Sequence, residues 1–171
     1  MRVNIPLKRQ FQKKLLSWYN QRSRPLPWRE TRDPYKIWVS EVMLQQTQVK
    51  TVESYYGRFI SRFPSVEDLA RAAPDEVMKY WEGLGYYGRA RHLHRAAREV
   101  VDRFDGRVPD TFEDLISLPG VGRYTTGAIL SIAFGKPEAV LDGNVIRVLA
   151  RIFHVTDDVR KASTQKMLWS L

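Results

Sequence analysis

Hydrophobic positions recur at intervals of three and four along almost the whole chain, and no stretch alternates apolar and polar residues as a half-buried strand does. Phe11, Leu15, Trp18 and Tyr19 share one helical stripe, after which Arg24-Pro25-Leu26-Pro27 interrupts the pattern. A long helical pattern from Tyr35 to Phe63 reads as two helices stopped by Pro64. Ser65 is placed to cap a short helix holding Val66 and Leu69. Pro74-Asp75-Glu76 opens another, with Val77, Met78, Tyr80 and Trp81 on it. Further helices are expected to begin near Tyr86, Thr111, Arg123 and Asn144. The pattern predicts an all-α domain. It also contains an echo: Trp81-Glu82-Gly83-Leu84-Gly85 and Leu118-Pro119-Gly120-Val121-Gly122 both read apolar-x-Gly-apolar-Gly between one helix and the next.

Two readings of this turn stay open from its residues alone. One is a C-cap glycine followed by a tight interhelix turn. The other is an anion cradle, in which Gly120 and Gly122 let the backbone approach a ligand and the next helix aims its unpaired N–H groups and positive dipole end at it. Charge favours the second. The 171 residues carry 28 Lys plus Arg against 19 Asp plus Glu, a formal charge of +9, and Arg123 adjoins the turn. With 43% hydrophobic residues the chain is expected to fold, and its charge points to a polyanion, nucleic acid or an anionic membrane surface. Cysteine is absent, which excludes disulfides, thiol nucleophiles, thiolate zinc sites and iron–sulfur ligation by this chain. His92 and His94 lie two apart and His154 is isolated, so no metal site is expected. Met1 to Phe11 is basic without the apolar run of a signal peptide, and charge breaks every longer apolar stretch, so no spanning segment and a soluble, intracellular protein are expected.

Two carboxylates carry candidate chemistry. Glu41 has Ile37 and Trp38 a turn before it and Leu44 and Gln45 a turn after it, so it faces the interior. Burial there raises its pKa, as a general acid near neutral pH requires; the alternative is a buried Glu satisfied by an Arg or a helix end. Asp142 precedes Gly143 and the stripe Val145, Val148, Leu149 and Ile152, which makes it an N-cap. Capping is a sufficient role in itself, yet it also suits a carboxylate held ionised. One raised acid beside one kept anionic is the division of labour that cleavage through an oxocarbenium ion needs.

LPGVGRYTTGA resembles the helix-hairpin-helix of the base-excision DNA glycosylases, and LDGNVIRVLAR resembles that superfamily's Gly/Pro-rich segment and catalytic aspartate. WVSEVMLQQTQVKTV and GLGYYGRARHLH are similar to its adenine-specific, MutY-type branch, and the resemblance runs from about Leu26 to Phe153. It implies the helix-hairpin-helix glycosylase fold: a six-helix-barrel domain over 28–135, an N-terminal helix and linker over 1–27 belonging to a second subdomain, and over 136–171 the catalytic-Asp loop and the start of that incomplete subdomain. It implies a monofunctional hydrolase of the N-glycosidic bond of adenine mispaired with guanine or 8-oxoguanine in double-stranded DNA. A monomer, cytoplasmic and nucleoid-associated, is expected.

By the same resemblance, Glu41 protonates the extruded adenine and Asp142 stabilises the sugar cation. Tyr124 stands where glycosylase-lyases carry a Schiff-base lysine, and a phenol cannot form an imine. Tyr124 and Asn144 orient Asp142 and the sugar, while Gln46 and Tyr86 fill the space the base leaves. Trp28, Arg29 and Leu44 line the adenine pocket. Gly120, Val121, Gly122 and Arg123, with Gly83 and Gly85, contact the DNA backbone. From position alone, Arg89, Arg91 and Arg95 after the first glycine turn either track it or form a solvated face, and Arg147 and Arg151 share a face opposite their helix's apolar stripe. Family members carry a [4Fe-4S] cluster, whose ligands would lie beyond Leu171. The chain is therefore expected to be a fragment, with the apolar face of Phe11, Leu15 and Trp18 partly uncovered. Two other functions fit less of the pattern: a glycosylase for thymine opposite guanine, and a duplex-binding module without turnover.

Overall fold

Prolines and short polar caps set the helix boundaries. In the computed structural model, which describes the backbone of residues 5–171 and the side chains of residues 9–171, helix α1 covers Ile5–Arg22 and a 3-10 turn covers Pro27–Arg29. The first four residues of the N-terminal segment lie outside the described residues. Helix α2 (Pro34–Leu44) starts with proline behind the Asp33 cap, whose carboxylate accepts from the Tyr35 and Lys36 N–H groups at 2.9 and 3.3 Å. Helix α3 is Val49–Arg62, α4 Val66–Arg71, α5 Pro74–Trp81 and α6 Gly88–Phe104. Ser65 caps α4, accepting from the Asp68 N–H at 3.1 Å. Helices α7 (Phe112–Ser117), α8 (Arg123–Ile132), α9 (Gly143–Ile152) and α10 (Ala162–Trp169) complete the chain. No strand occurs among the described residues.

The long pattern from Tyr35 to Phe63 is two helices, as expected, broken at Gln46, where the backbone is left-handed with φ of 55°. The helix expected near Tyr86 begins at Gly88 instead, because Gly85 and Tyr86 both take positive φ (78° and 49°) and postpone helical geometry.

Helix α2 organises the core. From Tyr35 to Met43 every residue except Lys36 is buried, and α3, α6 and α8 pack around it. A helix apolar on all sides requires such enclosure. Phe59 and Trp81 meet edge to face at 5.8 Å, Phe63 and Tyr80 at 5.4 Å, and Trp28 and Tyr56 at 5.3 Å. The buried Tyr35 hydroxyl donates to the Phe63 carbonyl at 2.9 Å and fastens the start of α2 to the end of α3. One core of buried residues thus runs from Leu26 to Leu130, covering α2 to α8.

Helices α9 and α10 pack on each other, but α9 buries no side chain, although its apolar residues fall on one face. On α1, Phe11, Leu15, Leu16, Trp18 and Tyr19 are exposed. Replacing Phe59, fully enclosed, by Ala should cost about 3–5 kcal/mol in urea denaturation, whereas Leu16→Ala, on the open face of α1, should stay within about 0.5 kcal/mol.

Candidate active site

Enclosure of α2 carries Glu41 with it. The side chain is 9% exposed, and loss of solvent is the main influence raising its pKa. The Tyr124 hydroxyl opposes the rise, while the Asp142 carboxylate adds to it. Tyr124, the second residue of α8, is itself pushed above the usual tyrosine range by burial and by Glu41 and Asp142, so it remains a neutral donor. Glu41, Tyr124 and Asp142, from three separate helices, therefore sense one another within a single site.

Asp142 is the N-cap of α9. Its Oδ1 accepts from the Val145 N–H at 2.8 Å and its Oδ2 from the Asn144 side-chain amide at 3.1 Å, which holds the carboxylate by both oxygens. The segment leading to it passes tightly over α8: a Cβ added to Gly127 would lie 2.4 Å from the Ala139 carbonyl oxygen. That contact sets how close Asp142 comes to Tyr124.

Glu41, Leu44 and Tyr124 line two cavities at once. One, of about 390 Å³, is walled by Trp28, Arg29, Val49 and Ile132; the other, of about 610 Å³, by Gln45, Gln46, Asp142 and Asn144. Trp28 is buried against Tyr56, and Arg29 donates to the Arg24 carbonyl at 3.1 Å with its guanidinium 5.4 Å from the centre of the Tyr19 ring. Tyr19 of α1, Arg24 of the loop after it and Ile132 at the end of α8 also belong to this wall; the first two lie more than a hundred residues from the third, so no local pattern marks them. A cavity of about 750 Å³ elsewhere is lined by Asp33, Glu67, Asp105, Asp110 and Asp114, an unsuitable surface for a polyanion.

The echoed turns fold alike where their residues agree. In each the first glycine is left-handed (Gly83, φ 90°; Gly120, φ 75°), and the next residue is buried and returns its N–H to the residue three before it, Leu84 to Trp81 and Val121 to Leu118. A Cβ on Gly120 would meet His92 at 2.6 Å, so only glycine lets the second turn lie on α6. The Val121 side chain is in the core; what the turn presents is backbone. Gly122 caps α8 without a side chain, which leaves the first-turn N–H groups of the ten-residue helix open. Arg123 is exposed and stacks 3.9 Å from the Trp169 ring centre. The first turn diverges after Gly85: Tyr86 and Tyr87 intervene before α6, so it presents Tyr86 rather than a helix end.

Gln46 and Tyr86 are both exposed and both left-handed. Arg89, expected to track a DNA backbone or to join a solvated face, is instead half-buried and spent on intramolecular acceptors. Arg91, Arg95, Arg147 and Arg151 are exposed. No group of three or more His, Asp or Glu among the described residues could hold a metal, and no described helix is long and apolar enough to cross a membrane. A thiolate-bound iron–sulfur cluster does not fit this chain, which has no cysteine to ligate it.

Residues 39–171 match the family described as HhH-GPD superfamily base excision DNA repair protein. The chain is 51% identical over 170 residues to an adenine DNA glycosylase of Rattus norvegicus, covering 94% of this chain and 33% of that protein. It is 43% identical over 160 residues to the adenine DNA glycosylase of Buchnera aphidicola, covering 93% and 45%. It thus spans a third to under half the length of these curated relatives. A solved thermostable thymine-DNA glycosylase is similar at a TM-score of 0.84 and 32% identity, over 95% of this chain and 76% of that one. A trapped endonuclease III–DNA covalent intermediate, at 0.78 and 23% over 99% and 82%, is alike in fold.

Gly127→Ala, which in an open helix would gain up to about 1 kcal/mol, should here destabilise by about 1–3 kcal/mol, because the Ala139 carbonyl must move; thermal melting checks it. Glu41 also links stability to pH. With its folded-state pKa raised, its favourable contribution is complete below the ordinary glutamate value of 4.5 and is lost as pH rises through the raised value. Glu41→Gln should therefore melt higher than the parent at pH 8, with the difference closing towards pH 4.

Proposed function

Because the chain belongs to the HhH-GPD superfamily of base excision DNA repair proteins, we propose that it carries the catalytic centre of an adenine DNA glycosylase acting on adenine opposite guanine or 8-oxoguanine in duplex DNA. The observation that carries the reading is the buried Glu41, sharing its cavity walls with Tyr124 and with Asp142, the N-cap of α9. The names of the curated relatives support adenine as the base.

The chemistry follows from the placement of the two carboxyl groups. An extruded adenine occupies the cavity walled by Trp28, Arg29 and Leu44. Glu41, whose pKa burial raises, gives its proton to the base, and the C–N bond breaks with its electron pair leaving on neutral adenine. Positive charge grows on the sugar, and the doubly hydrogen-bonded Asp142 carboxylate is positioned to stabilise it. Water then adds to the sugar carbon and releases a proton, completing hydrolysis. Tyr124 cannot form an imine, so the strand is left intact. The open N–H groups at the start of α8 and the exposed Arg123 suit a phosphate of the backbone.

Thymine opposite guanine is the second reading, supported by the similarity to a thymine-DNA glycosylase. Single-turnover assays of the full-length protein on A:8-oxoguanine, A:G and T:G duplexes separate the two. Adenine release is expected, lowered about 10²–10⁴-fold in Glu41→Gln and about 10²–10³-fold in Asp142→Asn, with the parental rate falling on the alkaline side as Glu41 loses its proton. Release of thymine in preference, or parental rates in both variants, would refute the proposal.

A further inference from the structure

Helix α2 ends at Leu44 without a glycine cap and without a basic residue in its last turn. Its final carbonyls therefore need donors from elsewhere. Arg89, in the first turn of α6, supplies them. Its Nη1 donates to the carbonyls of Val42 (2.9 Å), Met43 (2.8 Å) and Gln45 (2.5 Å), and its Nη2 donates to Thr47 Oγ1 (3.1 Å) and to the Gly85 carbonyl (3.2 Å). The guanidinium lies 5.4 Å from the centre of the Trp81 ring and 5.3 Å from that of Tyr86.

These acceptors are not scattered. Gln45 and Thr47 bracket Gln46, and Gly85 immediately precedes Tyr86. Gln46 and Tyr86 hold φ of 55° and 49°, which L-residues keep only where the surroundings impose it. Both side chains are exposed, and neither makes a hydrogen bond within the described residues. One planar cation thus ties the two exposed, left-handed residues into a single unit. The Gln45 side-chain amide extends that unit to Thr125 Oγ1 at 3.3 Å, next to Tyr124.

We infer that Arg89 is a positioning residue, which presets Gln46 and Tyr86 together for insertion into the duplex and so couples the two insertions. This rests on the glycosylase reading above, in which those side chains replace the extruded adenine. The fork geometry is essential: a lysine ammonium has three donors around one point and cannot span acceptors on two loops.

The test uses the full-length protein in a Glu41→Gln background, which blocks turnover, with a duplex carrying 2-aminopurine beside the mispaired adenine so that fluorescence reports extrusion. Arg89→Lys should lower the extrusion equilibrium about ten-fold or more, and combining it with Tyr86→Ala should add little to Tyr86→Ala alone. The salt dependence of binding should keep its slope in Arg89→Met, which removes the charge, whereas loss of a phosphate contact would reduce that slope by about one. A reduced slope, or extrusion unchanged in Arg89→Lys while Gln46→Ala and Tyr86→Ala impair it, overturns the role assigned to Arg89. If Gln46→Ala and Tyr86→Ala themselves leave extrusion unchanged, the reading beneath it fails instead. Arg89→Lys keeps the charge and most of the stem, and a circular-dichroism melt confirms that the comparison is made on folded protein.

Discussion

A carboxyl group held inside an apolar helix is costly, and much of the structure around α2 is arranged about that cost. Taking an ionised carboxylate out of water without compensation costs so much that the group neutralises instead. Glu41 cannot escape to solvent, because residues on every side of α2 are themselves needed in the core. The same packing that stabilises the domain therefore raises the pKa of this acid. The Tyr124 hydroxyl opposes that shift.

Helix ends supply the complementary polarity, and each end is handled differently. The start of α9 is closed by Asp142, which gains two hydrogen bonds and is fixed in place as the cap. The start of α8 is left open by Gly122, so its donors face outward. The end of α2 is closed from a distance by Arg89, whose donors meet carbonyls of α2 and both neighbouring loops. Carboxylate cap, open donors and loop clamp thus use the same small set of backbone rules.

Close backbone approach brings these ends together. Gly127 lets the segment before Asp142 lie on α8, and Gly120 lets the hairpin lie on α6. Because α8 carries Tyr124 and packs on α2, these contacts bring Asp142 towards Glu41 without any covalent link. The site is consequently only as well formed as the packing of α2, α6 and α8.

Much of this was legible in the order of residues. Helical periodicity, the caps Asp142 and Ser65, the proline of α5 and the interior position of Glu41 all depend on nearby residues, which the sequence displays directly. The motifs around Gly120 and Asp142 likewise lie within short windows. Other features depend on residues far apart in the chain. The Arg89 clamp joins positions more than forty residues apart, the Tyr19 and Ile132 walls meet across most of the chain, and Val121 turned inward because the hairpin packs on the core. Periodicity specifies which face of a helix is apolar, but not which helix will cover it or which distant cation will meet its end. Local sequence determined the elements and the chemistry each could carry; only the tertiary packing decided which groups would share one site, because hydrogen-bond partners and desolvation are set by distance in space rather than along the chain.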